Sequence, residues 1–533
     1  MQIIDADVLI IGGGIAGLRA AIEVTRKGKN ALIVSKSSVG KANNTYLAGG
    51  LFTVSHGNFN RDAHLEKTLS SGGHLNRRSL VDKFVNEAPP MVAELQELGL
   101  KGKFILTGFA TRGASFIGGP RISSVLVAAC RKEGVRFLEG VMVTDLLVKD
   151  GACLGAFGFH NRTGDLFGFR AGAVLLATGG AGAIYSEHDN APGMTGDGYV
   201  LGLRASLELI DMEFVQFYPL VYAGTGKARM IIPAALGDLG EIKNRLGEDL
   251  KEKYALHDKP IAIVSRDRFA QALYSEIRLG NDVDGALFLD LRKTDDAMIP
   301  GSAGLKARLK KMISYDRTPV RIAPVSHHTM GGLVIDVEGH TGIENLFAAG
   351  EVVGGIHGAN RMGGNALSEA LVFGAVAGGS AVEGLVSYKT PPDIKTMVNG
   401  HAERSFHARF DRNANASAGP HLMKQIGKLV WKKTGILRNG TSLKEALATI
   451  EDILKEAGEQ RVSNPWELSK IIECTHAAIS AYAITVSALE RTESRGSHYR
   501  DDYPFEDESW KKNIHVKMSE GLPGISRVVA SVE

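Results

Sequence analysis

Residues 5–35, DADVLIIGGGIAGLRAAIEVTRKGKNALIVS, read as strand, turn, helix and strand. DVLII (7–11) is a short apolar run rich in β-formers, and GGGIAG (12–17) is the turn. LRAAIEVTRKG (18–28) is amphipathic and closes on Gly28, and ALIVS (31–35) is the second strand. The pattern predicts a parallel βαβ unit. Within it Gly12, Gly14 and Gly17 fit G-x-G-x-x-G. One glycine serves the tight turn, one lets backbone approach a pyrophosphate, and one packs helix on strand. The pyrophosphate would sit on the helix N-terminus, where unpaired N–H groups and the dipole favour an anion. Glycine is abundant in this chain, so the spacing carries weight because it follows a strand and opens a helix. An acidic residue ending the second strand would hold ribose hydroxyls. Ser35 stands there, and it does not choose between dinucleotides.

With 533 residues the chain exceeds what one core supports, and its length favours about three or four domains. Lys+Arg 62 against Asp+Glu 59 gives a net charge of only +3, with no long block of one sign. That excludes a nucleic-acid footprint. Cys130, Cys153 and Cys474 lie far apart, which argues against a disulfide framework and fits a reducing compartment. Three thiols do not supply the four that an iron–sulfur cluster usually needs. No group of metal-ligating residues stands out, and no metal is expected. No basic n-region or cleavage site precedes the first strand, and no charge-free apolar run reaches about 18–20 residues. The expectation is a cytoplasmic protein without a membrane span.

Further along, RFLEGVMVTDLLVKDGACLGAFGFH (136–160) reads as short strands with turns, and RAGAVLLATGGAG (170–182) as a strand ending in glycines. From about 222 to 322 charged stretches such as KNRLGEDLKEKY (243–254) replace the Gly-rich pattern, which resumes at HHTMGGLVIDVEG (327–339). This predicts a discontinuous first domain, 1–221 and 323–385, with a 222–322 domain inserted. A helical domain is expected over 386–505, where SLKEALATIEDILKEAG (442–458) is the clearest helix, and a polar tail over 506–533. GGIHGANRMGGNALSEALVFGAVAGGS (354–380) sets Arg361 among glycines at the approach to a buried helix.

LLATGG (175–180) and NLFAAGE (345–351) resemble the second and third flavin-contact segments of two-dinucleotide-fold flavoproteins, which selects FAD. TGDG (195–198), DMEFVQF (211–217), SRDRFAQAL (265–273), HHTMGG (327–332) and HGANRMGGNAL (357–367) follow in order. Together with LVWKKTGILRNGTSLKEAL (429–447) and ESRGSHYRDDYP (493–504), they resemble the flavoprotein subunits of succinate dehydrogenase and fumarate reductase, and the related L-aspartate oxidases. The resemblance spans nearly the whole chain. It implies an α/β fold: a Rossmann-like FAD-binding domain, an inserted capping domain and a C-terminal helical domain. It assigns to the cofactor Gly12, Gly14, Ile15, Ala16, Gly17, Ser35, Lys36, Asn43, Thr45, Gly49, Gly50, Ala177, Thr178, Gly179, Asp197, Glu351, Asn365, Ala366 and Leu367.

By the same resemblance Arg361 clamps a substrate carboxylate over the flavin, a task suited to the planar guanidinium fork. His327 holds the same or the opposite carboxylate, and His328 occupies a variable position. Arg266 passes the proton while flavin N5 exchanges hydride with a carbon beside the carboxylate. Because arginine stays protonated in proteins, that role needs a dry, preorganised site.

Three departures stand out. Asn43 replaces the histidine to which many family members attach FAD covalently, so FAD is expected to bind non-covalently. Tyr218 stands where the family has a carboxylate-binding histidine, and IIPAALGDLGE (231–241) lacks the Glu and Arg of the family's proton relay. Tyr218 is either an acid–base group or a pocket wall, and Asp238 and Glu241 are candidates to rebuild the relay. The lost positive charge points away from plain fumarate or succinate, towards a substrate with one carboxylate and a bulkier or less polar far end. The resemblance further implies an iron–sulfur electron-transfer subunit, a homo- or hetero-oligomer, and peripheral attachment at the inner membrane face through partners. The alternatives are an aspartate-oxidase-like soluble oxidase and a non-catalytic FAD relay subunit.

Overall fold

A computed structural model describes residues 1–111, 118–224, 230–299, 303–385, 393–411, 414 and 418–531, apart from the side chains of 304, 305 and 308. The expected junction at 385/386 and the last two residues of the expected tail lie outside this set.

Among the described residues a seven-stranded sheet organises the first part of the chain. Strand β1 (Gln2–Ile11) pairs in parallel with β2 (Ala31–Ser35) on one side and with Leu166–Leu176 on the other. Only its second half, Val8–Ile11, lies between both neighbours along its length and is buried. Its first half is partly exposed and carries the polar residues Gln2, Asp5 and Asp7. Helix α1 (Ile15–Arg26) connects β1 to β2. Leu346–Ala348 joins the far side of Leu166–Leu176 in parallel, bringing a segment from late in the chain next to the turn after β1.

The run GAVAGGS finds its reason in helix Asn365–Glu383. A Cβ on Gly374 would come within 2.5 Å of the Ala16 carbonyl oxygen, and one on Gly378 within 2.7 Å of that of Ala20. The helix therefore runs parallel to α1 in backbone contact with it. It begins eight residues before the level of Ile15, or about 12 Å. Two helix N-termini thus point the same way. This helix and Pro465–Glu490 are long and apolar enough to cross a bilayer, but 72% of each apolar window is buried inside the protein. Both are core helices here.

A five-stranded sheet has its own apolar core, running from Leu220 to Ile322. Its strands Val215–Tyr222 and Val320–Thr329 are antiparallel neighbours, with Tyr222 opposite Ile322. The chain leaves the first sheet's territory and returns to it side by side. Residues expected as a polar tail instead form a hairpin, Lys512–Ser519 and Leu522–Ala530, that pairs with Leu209–Ile210. The signals were present: Ile514, Val516 and Met518 alternate with polar residues, and Glu520–Gly521 turns with both φ positive.

Behind that hairpin lies a buried ion cluster. Arg491 bonds Glu213 at 2.7 Å and Glu493 at 2.9 Å, and Arg495 bonds Glu493 at 2.9 Å. Arg491, Glu213 and Glu493 are wholly buried, and removing one partner of such a pair strands the other's charge. Glu213→Ala is expected to lower stability by about 3–5 kcal/mol, read as a lower urea midpoint at unchanged slope. A loss below about 1 kcal/mol, the range of exposed ion pairs, would contradict this.

Candidate active site

The turn after β1 is shaped for a dinucleotide. Gly12 has φ +121°, and a Cβ there would lie 2.1 Å from the Ala177 carbonyl oxygen. A Cβ on Gly17 would lie 2.1 Å from that of Gly12. Gly14 differs, for its nearest neighbour would be Thr45 Oγ1 at 3.5 Å. Two glycines therefore close strand, turn and helix on one another, while the third keeps an open face at the first turn of α1. Ile15 N–H donates to Thr45 Oγ1 at 3.0 Å, and Ala16 packs on Gly374. Ser35 Oγ accepts from Ser37 N–H. Beyond Leu166–Leu176, Thr178 Oγ1 is buried without a partner beside Ala177 and Gly179. An orphaned hydroxyl, an open glycine and a helix N-terminus fit a pyrophosphate-bearing cofactor. Gly14→Glu is accommodated sterically yet puts a carboxylate where the phosphates belong. It is expected to weaken FAD binding by about 100-fold or more, measured as flavin retained after gel filtration.

Asn43 caps the short helix Asn44–Leu47 by accepting from Tyr46 N–H, and donates to the Gly13 carbonyl at 3.1 Å. Gly49 precedes Gly50, whose φ is +80° and whose Cβ would strike Thr111 Oγ1. Lys36 and Asp197 bond each other at 2.8 Å, and both also bond helix Pro465–Glu490, Lys36 through Glu473 at 2.9 Å and Asp197 through His476 at 3.1 Å. Glu351 accepts from Thr329 N–H and from Asn44, and burial raises its pKa. The Asn365 side chain turns away, to His64 and Thr68. Of residues 365–367, the backbone of the first helical turn and the apolar side chains of Ala366 and Leu367 remain for a cofactor.

Arg361 and Arg266 come together. Arg266 opens helix Arg266–Arg278 of the second sheet's unit, and its Nη1 donates to the Arg361 carbonyl at 3.3 Å. Their exposures are 6% for Arg266 and 7% for Arg361. Arg361 Nη2 donates to Gln216 Oε1 at 2.8 Å, and its Nε is buried without a partner. Among the described residues neither guanidinium has a carboxylate within ion-pairing distance. Burial and then the neighbouring Arg266 charge pull the Arg361 pKa down to about 9, and burial lowers that of Arg266. The carboxylates of Glu351, Asp189 and Glu369 act in the opposite direction on Arg361, as Asp267 does on Arg266, and burial outweighs them.

A polar chain fixes this pair. Gln216 Nε2 donates to the Arg361 carbonyl at 3.0 Å and to Asn360 Oδ1 at 2.6 Å, and Asn360 donates to Asp267. Burial lifts the Asp267 pKa to about 6. The sequence gives no role to Gln216, Asn360 or Asp267, although Asn360 and Asp267 adjoin candidate residues and Gln216 lies two before Tyr218.

His327 Nδ1 lies 2.7 Å from Asp189, and its ring sits 5.6 Å from that of Tyr218. The Tyr218 hydroxyl donates to the Ile232 carbonyl at 3.2 Å. His328 is buried against Glu351 and His357, and burial holds its pKa well below the usual range. The two candidates for a rebuilt relay are placed elsewhere. Asp238 accepts from Ile261 N–H, where it caps a short helix, and Glu241 pairs with Lys243 at the surface. Neither has a hydrogen bond or ion pair with Arg266, although Asp238 bonds the short helix whose Ala262 carbonyl accepts from Arg266 Nε at 3.5 Å.

A turn shaped for a dinucleotide, and two buried arginines without an ion-pair partner among the described residues, agree with a flavin-dependent oxidoreductase. The profile of the FAD binding domain matches residues 7–367, and that of the fumarate reductase flavoprotein C-terminal domain matches 423–526. The chain belongs to the family of fumarate reductase and succinate dehydrogenase flavoproteins. It is 36% identical over 529 residues to an uncharacterized FAD-dependent oxidoreductase of Methanocaldococcus jannaschii, covering 96% of each chain. It is 34% identical to one of the subunits of the CoM/CoB fumarate reductase of Methanothermobacter marburgensis, covering 96% of this chain and 97% of that one. In structure it matches quinol fumarate reductase FrdA of Escherichia coli with a TM-score of 0.90 at 26% identity, over 100% of this chain and 98% of the other.

Proposed function

We propose that this FAD-dependent oxidoreductase interconverts a C–C and a C=C bond beside a carboxylate. The observation that carries the reading is the pair of buried guanidiniums that, among the described residues, bond no carboxylate directly. A carboxylate entering the pocket supplies that direct partner. Gln216 holds Arg361 Nη2, so the unpartnered Nε edge is the one left for substrate. His327 holds a second acceptor oxygen. Arg266 sits in a dry position and passes the proton at the carbon next to the one that exchanges hydride. FAD, when bound, supplies the hydride chemistry. With Asn43 in place of an attaching histidine, it binds non-covalently.

The far end of the substrate is bulkier or less polar than a second carboxylate. Tyr218 brings no charge, and its hydroxyl bonds the Ile232 carbonyl of the buried cap segment. Asp238 and Glu241 are engaged elsewhere. Aryl, alkyl or thioester substituents suit that wall.

Electrons come from a separate polypeptide carrying iron–sulfur clusters. Cys130, Cys153 and Cys474 are buried and unpaired, and the M. marburgensis relative is itself one of several subunits by its designation. Such a partner would hold the chain in the cytoplasm or at the inner face of a membrane. A direct test is the flavin absorption spectrum of the FAD-loaded protein during titration with unsaturated carboxylic acids. A saturable perturbation that disappears in Arg361→Ala supports the reading, and its absence for every acid tested opposes it.

A further inference from the structure

Asp189 holds one of the site's shortest hydrogen bonds. Its Oδ2 lies 2.7 Å from His327 Nδ1, and the carboxylate side chain is 6% exposed against 25% for the imidazole. The backbone keeps the two in register. Asp189 N–H donates to the Ser326 carbonyl, and the Asn190 side chain donates to the carbonyls of Ser326 and His327. The loop carrying Asp189 is thereby fastened along the strand carrying His327.

We propose that Asp189 is a positioning residue of this site, which commits Nδ1–H of His327 to its own carboxylate and leaves Nε2 as the nitrogen that meets the substrate. This rests on the reading above, that the pocket takes an unsaturated carboxylic acid. An imidazole with Nδ1–H fixed cannot adopt the opposite tautomer, so the ring neither flips nor offers Nδ1 to substrate. A ring that carries a second proton, on Nε2, presents it to a carbonyl or carboxylate oxygen of the substrate while Nδ1–H stays on Asp189. In that form the Asp189 carboxylate balances the charge of the ring, so the hydrogen bond is donated without adding net positive charge to that of Arg361 and Arg266. The ring also supplies the donor that Tyr218, bonded to Ile232, does not.

The test uses the FAD-loaded full chain, reduced chemically and reoxidised anaerobically by fumarate, cinnamate and crotonyl-CoA. With whichever acid the wild type accepts, Asp189→Asn is expected to lower the limiting rate by about 10–100-fold, the usual effect of removing a group that orients a histidine. Asp189→Glu is expected to recover part of it. In a His327→Gln background, Asp189→Asn is expected to change nothing further, because its effect runs through His327. An Asp189→Asn rate within about twofold of wild type, or an equal loss in both backgrounds, would overturn the proposal. Proton NMR with 15N-labelled histidine gives a readout without substrate. A hydrogen-bonded Nδ1 proton, assigned through His327→Gln, is expected in the wild type and missing in Asp189→Asn; its absence from the wild type would overturn the proposal. If no acid reoxidises the wild type while that resonance is present, the oxidoreductase reading fails and the His–Asp geometry stands.

Discussion

In the FAD-loaded protein, Arg361→Ala is expected to lose about 10³-fold in kcat/KM for reoxidation by an accepted unsaturated acid, with flavin content unchanged. The size follows from what the side chain does. A buried arginine meeting a carboxylate makes charge-assisted, paired hydrogen bonds, and truncating one partner of such a pair costs about 2–5 kcal/mol. Here the loss is aggravated because Gln216 Oε1 loses the Nη2 donor it accepts from at 2.8 Å. Arg361→Lys keeps charge but not the planar fork, and should recover only part of the activity. Most of the loss is expected in the half-saturating acid concentration, since the clamp holds the substrate before and during reaction. An Arg361→Ala variant within tenfold of wild type would mean that the carboxylate binds elsewhere.

Arg266→Ala is expected to lower the limiting rate by about 10²–10⁴-fold, the range for losing a positioned acid–base group. The half-saturating concentration should move much less than in Arg361→Ala. The contrast separates anchor from proton carrier, although the two residues touch through Nη1 of Arg266 and the Arg361 carbonyl. A small exogenous guanidine that restores part of the rate to Arg266→Ala, and none to Arg361→Ala, would strengthen the assignment. If instead both variants shifted only the half-saturating concentration, Arg266 would be a second anchor and the proton would have another source.

The sequence was most legible where one residue type has one geometric reason. The spacing of Gly12, Gly14 and Gly17 located the βαβ unit, and the structure separates their duties: two close the turn and one leaves it open. The residues expected to be catalytic, Arg266, His327, Arg361 and Tyr218, come from separated segments, and hydrogen bonds or ring contacts place them as two pairs. What stayed hidden depends on long-range pairing. The hairpin of 512–530 was masked by its lysines and serines, and by the burial of the polar Asn513 and His515 along with Ile514 and Val516. Gln216, Asn360 and Asp267 form their chain across the two sheets' units, and no spacing announces it. Asp189 lies 138 residues before His327. Of the acids considered for the missing relay, Asp238 accepts from Ile261 N–H and Glu241 pairs with Lys243, partners that their place in the sequence does not announce.

The central claim is hydride exchange beside a carboxylate, with a far end unlike that of fumarate. The measurement that tests it most directly is anaerobic, stopped-flow reoxidation of the chemically reduced, FAD-loaded protein. The acids are fumarate, aryl- and alkyl-substituted acrylates and their CoA esters, with Arg266→Ala alongside. The expected result is fast reoxidation by at least one bulkier acid, slower reoxidation by fumarate, and loss of both in Arg266→Ala. Reoxidation by fumarate faster than by every other acid would contradict the altered pocket. A flavin that no acid reoxidises would contradict the enzyme's proposed reaction itself.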